Sequence, residues 1–287
     1  MSQKVYEIVT DQIVKQLETG NVPWHKPWKS AYNVRMPHNL ISKKGYKGIN
    51  VWLLAFAPYD SPYFLTFKQC KDLGGSVKKG EKGFLVVFWK TYDKEVVLDG
   101  ESETQKRFIL RYYKVFNTEQ CEGLDEKMVK FKNNIDAIDF NPIEKCEEIV
   151  ENMPNRPTIK HESQRAFYNH ENDFVNLPKQ DSFESEEEYY STAFHELGHS
   201  TGHKSRLGRK EANLMESHAY SKEELVAELT SAFLCGASGI ENKTIDNSAA
   251  YIKNWSKALK DNVKMVVEAS QKAQKAADYI LDTEKSS

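Results

Sequence analysis

Six consecutive residues, Phe194-His195-Glu196-Leu197-Gly198-His199, contain the pattern H-E-x-x-H. On a helix, His195 and His199 project from one face a single turn apart. Two imidazole nitrogens placed that way can share one tetrahedral cation, and zinc suits the donor type best. Glu196 stands beside the first histidine, where it can act as general base toward a water attracted to such an ion. Without an ion the same run is an amphipathic helix with two histidines, so the flanking sequence has to decide.

The elements that would position these residues are legible. The run Glu184 to Tyr190 supplies first-turn acids, and Tyr189, Tyr190, Ala193, Phe194 and Leu197 recur at helical spacing. Ser200-Thr201-Gly202 is expected to stop this helix, with Gly202 as a left-handed cap. A second helix is predicted over Ser221 to Leu234, with Ser221 as N-cap and Glu224 completing a capping box. A catalytic zinc needs a third protein ligand and an open position. Glu224 and Glu228 share a face of the second helix, which points to Glu224 on the metal. Glu228 would then stand behind it, accepting a hydrogen bond from a ligand histidine. Two alternatives stay open: both acids are solvated or Glu224 only caps its helix, or His203 is the third ligand. The longer pattern with a third histidine at position 205 is excluded, because that residue is Ser205. Arg206 and Tyr220 are candidates to stabilise an oxyanion.

With 287 residues the chain has room for two domains, and 39% hydrophobic with 29% charged residues fits a water-soluble globular class. No stretch approaches the ~20 apolar residues of a membrane span. Met1 to Asp11 lacks the apolar core of a secretory signal, so a cytoplasmic location and no membrane partner are expected. The scattered Cys70, Cys121, Cys146 and Cys235 read as reduced, buried thiols rather than a second zinc site.

The net charge of −2 conceals an asymmetry. Residues 1–130 hold 21 basic and 15 acidic side chains, the remainder 19 and 27, and the window 22–90 holds 12 and 3. That window also contains Trp24, Trp28, Trp52 and Trp89. Lysines interleaved with flat rings suit single-stranded nucleic acid, where cations track phosphates and rings stack on bases. Trp24 and Trp28, flanked by prolines and Lys26, are the expected stacking platforms. Lys43, Lys44, Lys47, Lys78, Lys79 and Lys82 lie in glycine-containing loops and are expected at the phosphates. Trp52, Phe56, Phe84 and Phe88 sit in apolar runs and are expected in the core.

Periodicity and turn residues predict an α+β chain of two domains. Residues 1–125 form a small mixed α/β DNA-binding domain, 126–140 a polar linker, and 141–287 a mainly helical domain with a small antiparallel sheet. Within the first, a helix is expected over Lys4 to Leu17, and a hairpin pairs Phe84–Trp89 with Phe108–Phe116 around a charged, disordered tip between Lys94 and Lys106. In the second, the strand around Phe174 to Leu177 would offer an edge to an extended peptide. A continuous helical pattern runs from Ser248 to Leu281.

The blocks VPWHKPW (22–28), GYKGINVWLL (45–54), FLTFKQCKDLGGSVKKGEKG (64–83) and YKVFNTEQCEGL (113–124) resemble the N-terminal domain of ArdC-type antirestriction proteins. YYSTAFHELGHSTGHKSRLGR (189–209) and YSKEELVAELTSAFL (220–234) resemble the zincin-like metallopeptidase domain of the same family. The resemblance implies a first domain that binds single-stranded DNA and a second that is a zinc-dependent peptidase with one Zn2+ per chain. It also implies an origin on a mobile genetic element and a protein substrate such as a host restriction component. DNA mimicry would need a dense negative surface, which the basic window argues against. Two other readings remain: a DNA-binding protein whose zinc site is structural or inactive, and a DNA-binding accessory of a primase.

Overall fold

A computed structural model describes residues 2–25, 36–55, 57–98, 101–125, 141–209, 221–243 and 248–283, with backbone alone at 2, 90–98 and 101–108. Helix α1 (Ser2–Glu18) buries Val5, Val9, Ile13 and Leu17, the stripe its sequence predicts. After β1 (His38–Asn39), helix α2 (Ile49–Leu54) buries Trp52, and β2 (Tyr63–Thr66) leads into α3 (Phe67–Asp72). Thr66 and Gln69 form a reciprocal capping box that starts α3. β3 (Ser76–Val77) pairs with β6 (Cys121–Glu122), while β4 (Phe84–Leu98) and β5 (Glu101–Asn117) form one long hairpin. The sheet order is β1-β2-β5-β4.

The hairpin corrects one expectation. The stretch between Lys94 and Lys106 is strand, and pairing continues to Leu98 opposite Glu101. Val96, Val97 and Thr104 favour extended backbone, and Asp93 falls opposite Lys106. The expected linker, 126–140, lies outside the described residues, as does Phe56.

The second part begins with α4 (Pro142–Asn152), followed by β7 (Thr158–Lys160), β8 (Phe167–Asn169) and β9 (Phe174–Asn176). This small sheet is mixed rather than antiparallel: its order is β7-β9-β8, and β7 runs parallel to β9. The chain between β7 and β8 is too long for a tight hairpin, and the β8–β9 turn returns β9 to the centre. Helices α5 (Glu186–Ser200) and α6 (Lys222–Ser238) follow. The expected single C-terminal helix is two, α7 (Ala249–Asp261) and α8 (Met265–Ile280). Asn262 breaks it with a side-chain turn, accepting from Lys264 N at 3.2 Å.

α6 is apolar nearly all round, with Leu225 through Cys235 buried, and so it occupies the centre. One hydrophobic cluster runs from Val5 to Ile280 and joins both parts of the chain, with Trp52 against Phe233 at 4.6 Å between ring centroids. Thr10 donates to Val263 O at 2.8 Å, and Lys47 pairs with Asp278 at 3.0 Å. The four cysteines are free thiols and buried. Among the described residues no helix is long and apolar enough to cross a membrane.

Candidate metal centre

Ser185 caps α5 by accepting from Glu188 N at 3.1 Å, with Glu186, Glu187 and Glu188 answering the positive end of the helix dipole. Ser221 caps α6 by accepting from Glu224 N at 3.1 Å. The Glu224 carboxylate does not turn back to its own cap. It faces His195 and His199 across the α5–α6 contact. That contact is close because Gly198 lies in it: a Cβ there would meet Ala227 Cα and Thr230 Cβ, each at 3.2 Å. Both atoms are fixed in a packed helix, so Gly198→Ala should cost about 1–3 kcal/mol of stability. It should also weaken metal affinity by moving Glu224 off the histidines. A thermal melt and a metal titration of this variant check both effects, and unchanged metal affinity would contradict the role given to the close contact.

His195 Nε2 and His199 Nε2 are 3.2 Å apart, His195 Nε2 lies 3.2 Å from Glu224 Oε1, and His199 Nε2 lies 3.5 Å from Glu224 Oε2. Bonds of about 2.0–2.1 Å at tetrahedral angles separate ligand atoms by about 3.3–3.4 Å. The triangle therefore fits a single ion held by the three side chains, which form the metal-capable cluster found among the described residues. All three residues are partly exposed. Electrostatics agree with this geometry. Burial opposes charge on His199, yet its bonds to Glu223 and Glu224 push its pKa up to about 10. Burial likewise opposes charge on His195, and Glu224 more than reverses it. Glu224 is held well below the usual carboxylate range by the two histidines, against the effect of burial. Such a pocket carries negative charge that a divalent cation answers. Glu196, 8% exposed, sits beside it and acts electrostatically on both histidines.

The supporting carboxylate differs from the one expected. Glu223, not Glu228, stands behind a histidine, with its Oε1 at 3.7 Å from His199 Nδ1. Arg209 holds it in place through Nε at 3.1 Å, and also donates to Thr201 Oγ1 at 2.5 Å and Gly198 O at 3.0 Å. The only sequence signal for Glu223 was a second acid next to a candidate ligand. Glu228 lies one turn deeper and accepts instead from Trp24 Nε1 at 2.9 Å and Tyr251 OH at 2.5 Å. Burial is the main cause that raises its carboxyl to about 7. A carboxyl raised from the ordinary range near 4.5 favours the folded state while protonated, and that advantage is lost as pH climbs toward 7. In chelator-treated protein, Glu228→Gln should match the wild type near pH 4 and exceed it by up to about 3 kcal/mol at pH 8. Melting curves at both pH values check this, and a gap independent of pH would contradict it.

Several other expectations are corrected. Gly202 does not adopt the left-handed conformation; Gly208 does, with φ of 60°, after Thr201 has closed α5. His203 stands away from the triangle, with Nδ1 at 2.7 Å from Ser205 Oγ and its ring against His170. The Arg206 guanidinium is buried and fully engaged by Asp173, Tyr168 OH, Asn155 O and Ser200 O, so it has no donor left for an oxyanion. Tyr220 lies outside the described residues. β9 is central, and the edge strand packed against α5 is β8.

Trp24 is 1% exposed, with its indole edge against Trp255 and its N–H on Glu228, so it has no free face for a base. Lys26 and Trp28 lie outside the described residues. Lys43, Lys44 and Lys47 are exposed on the turn before α2, and Lys78, Lys79 and Lys82 on the turn before β4. Lys43 lies over the Tyr63 ring at 5.5 Å, and Lys78 donates to Glu119 O at 2.8 Å.

Residues 3–116 match the N-terminal domain of the anti-restriction factor ArdC, and residues 144–272 match the zincin-like metallopeptidase family. Two Escherichia coli proteins named DNA primase TraC are 36% and 34% identical over 96% of this chain, which spans only 20% and 27% of their length. Uncharacterized protein y4eC of Sinorhizobium fredii is 32% identical over 96% of this chain and 91% of its own. The metal-free crystal structure of the antirestriction protein ArdC from plasmid R388 superposes with a TM-score of 0.75 at 34% identity, covering 98% of both chains. Its Mn(II)-bound form gives 0.73 at 34% identity, covering 96% of this chain and 97% of that one. With both halves matched in order and near-complete coverage of a solved relative, the chain belongs to the ArdC family of antirestriction proteins.

Proposed function

We propose that this chain is a cytoplasmic, zinc-dependent peptidase that binds single-stranded DNA and protects incoming DNA of a mobile element by cleaving a host restriction component. The observation that carries the peptidase reading is the donor triangle of His195, His199 and Glu224 with Glu196 buried beside it. Two imidazoles and a carboxylate suit zinc, which when bound would polarise a peptide carbonyl and acidify water. Glu196 takes a proton from the attacking water and passes it to the departing amine nitrogen. Arg209 fixes Glu223, which orients the His199 ring. Among the described residues β8 is an edge strand beside α5, to which an extended peptide can add as a further strand.

The test is incubation of zinc-loaded protein with purified restriction subunits, with and without single-stranded DNA. A shortened subunit should appear with the wild type and not with Glu196→Gln. Intact subunits under every condition would remove the peptidase reading. The TraC alignments favour a second reading, a DNA-handling module that also accompanies primases. That reading needs DNA binding but no hydrolysis.

A further inference from the structure

The β4–β5 hairpin is buried near its base and exposed at Phe88 and Tyr113. On one face, Val86 and Val115 are buried with Leu54, Ala57 and Phe64. Tyr113 sits opposite Val86 and Arg111 opposite Phe88, and strand alternation places all four on that face. Phe88 and Tyr113 are 38% and 37% exposed, and their ring centroids are 5.5 Å apart. Arg111 is exposed next to them. The apolar run around Phe88 predicted a core residue, and the structure leaves this ring in solvent. Adjacent exposed rings of this size mark a contact surface. Within residues 82–92 and 106–118 the charged side chains are six Lys or Arg, whereas the stretch beyond them, 93–105, carries five Asp or Glu and one Lys.

We infer that this face of the hairpin is the platform on which a single strand of DNA lies, its bases stacked on Phe88 and Tyr113 and a phosphate met by Arg111. The inference rests on the DNA-binding reading above and moves the stacking site from Trp24, which is buried, to the sheet. Free rings need unpaired bases, whose faces a single strand exposes and a duplex does not. A second copy of the chain is the poorer occupant. Self-pairing of this face about a two-fold axis would set the basic stretch around Arg111 against its own copy, whereas a polyanion neutralises it.

The experiment titrates full-length protein against a fluorescent oligothymidylate at several salt concentrations. Phe88→Leu and Tyr113→Leu keep apolar bulk and should each weaken binding by about 5- to 150-fold while leaving the salt slope unchanged. Phe88→Tyr and Tyr113→Phe should bind as the wild type does. Arg111→Gln should flatten the salt slope by about 0.7. In wild-type protein, photocrosslinking to an oligonucleotide carrying bromodeoxyuridine should mark the peptides that contain Phe88 or Tyr113, whatever the folding of the variants. If the wild type binds but both leucine variants bind equally well, or the crosslink maps only elsewhere, the platform is wrong and the DNA reading survives. If the wild type fails to bind at low salt, the DNA reading falls and takes the platform with it. A wild-type dimer that the leucine variants dissolve would make the face a self-interface and overturn the inference.

Discussion

Glu196→Gln should leave the protein with its full complement of metal while lowering peptide hydrolysis by ~10²–10⁴-fold. The side chain lies outside the donor triangle, so removing its charge takes no ligand away. It is nearly enclosed, so an isosteric amide fits the same space without opening a cavity. What disappears is the capacity to accept a proton. Glutamine removes one negative charge from the surroundings of His195 and His199, so metal affinity should fall only modestly. Elemental analysis and a cleavage assay on the same preparation separate these effects. Hydrolysis persisting at the wild-type rate in the glutamine variant would sink the assignment of Glu196 as base.

Glu224→Ala should have the opposite signature, with metal lost. It removes one of three donor groups whose nearest atoms lie 3.2–3.5 Å apart, and leaves two imidazoles to hold the ion. The loss should exceed the ~10–100-fold typical of a residue that only orients a ligand. Glu223→Gln, which disturbs His199 from behind, should stay within that smaller range. Stability reports the same difference, because a ligand bound to the folded state raises its melting temperature by mass action. Added zinc should therefore raise the melting temperature of the wild type and of Glu223→Gln, and have little effect on Glu224→Ala. A full equivalent of tightly bound metal in Glu224→Ala would mean that the third ligand is another residue.

Much of the site could be read directly because its signals are local. The four-residue spacing of His195 and His199 is one helical turn, the acids of Glu184 to Tyr190 mark the start of α5, and Ser221 announces α6. The hairpin was legible only in part: its apolar inner strands stood out, whereas its charged outer half looked like a loop and is paired strand. Backbone pairing, once begun, continues through residues whose side chains carry no apolar signal.

What local pattern cannot encode is which face of an element meets which neighbour. Glu223, Glu224 and Glu228 are similar acids on one helix, and their separate roles follow from the rotation of α6 against α5. That rotation is set by the apolar girth of α6 and by the close approach at Gly198. Trp24 looked like an exposed ring among prolines and lysines, and Phe88 looked like core. Their places are exchanged because Tyr251, Trp255 and Glu228 arrive from more than two hundred residues away to enclose the first, and no element among the described residues covers the second. By itself, then, the sequence determined the donor types of the centre and the helices that present them. The tertiary structure decided which carboxylate supports the histidines and which rings stay in water, because both depend on packing between segments far apart in the chain.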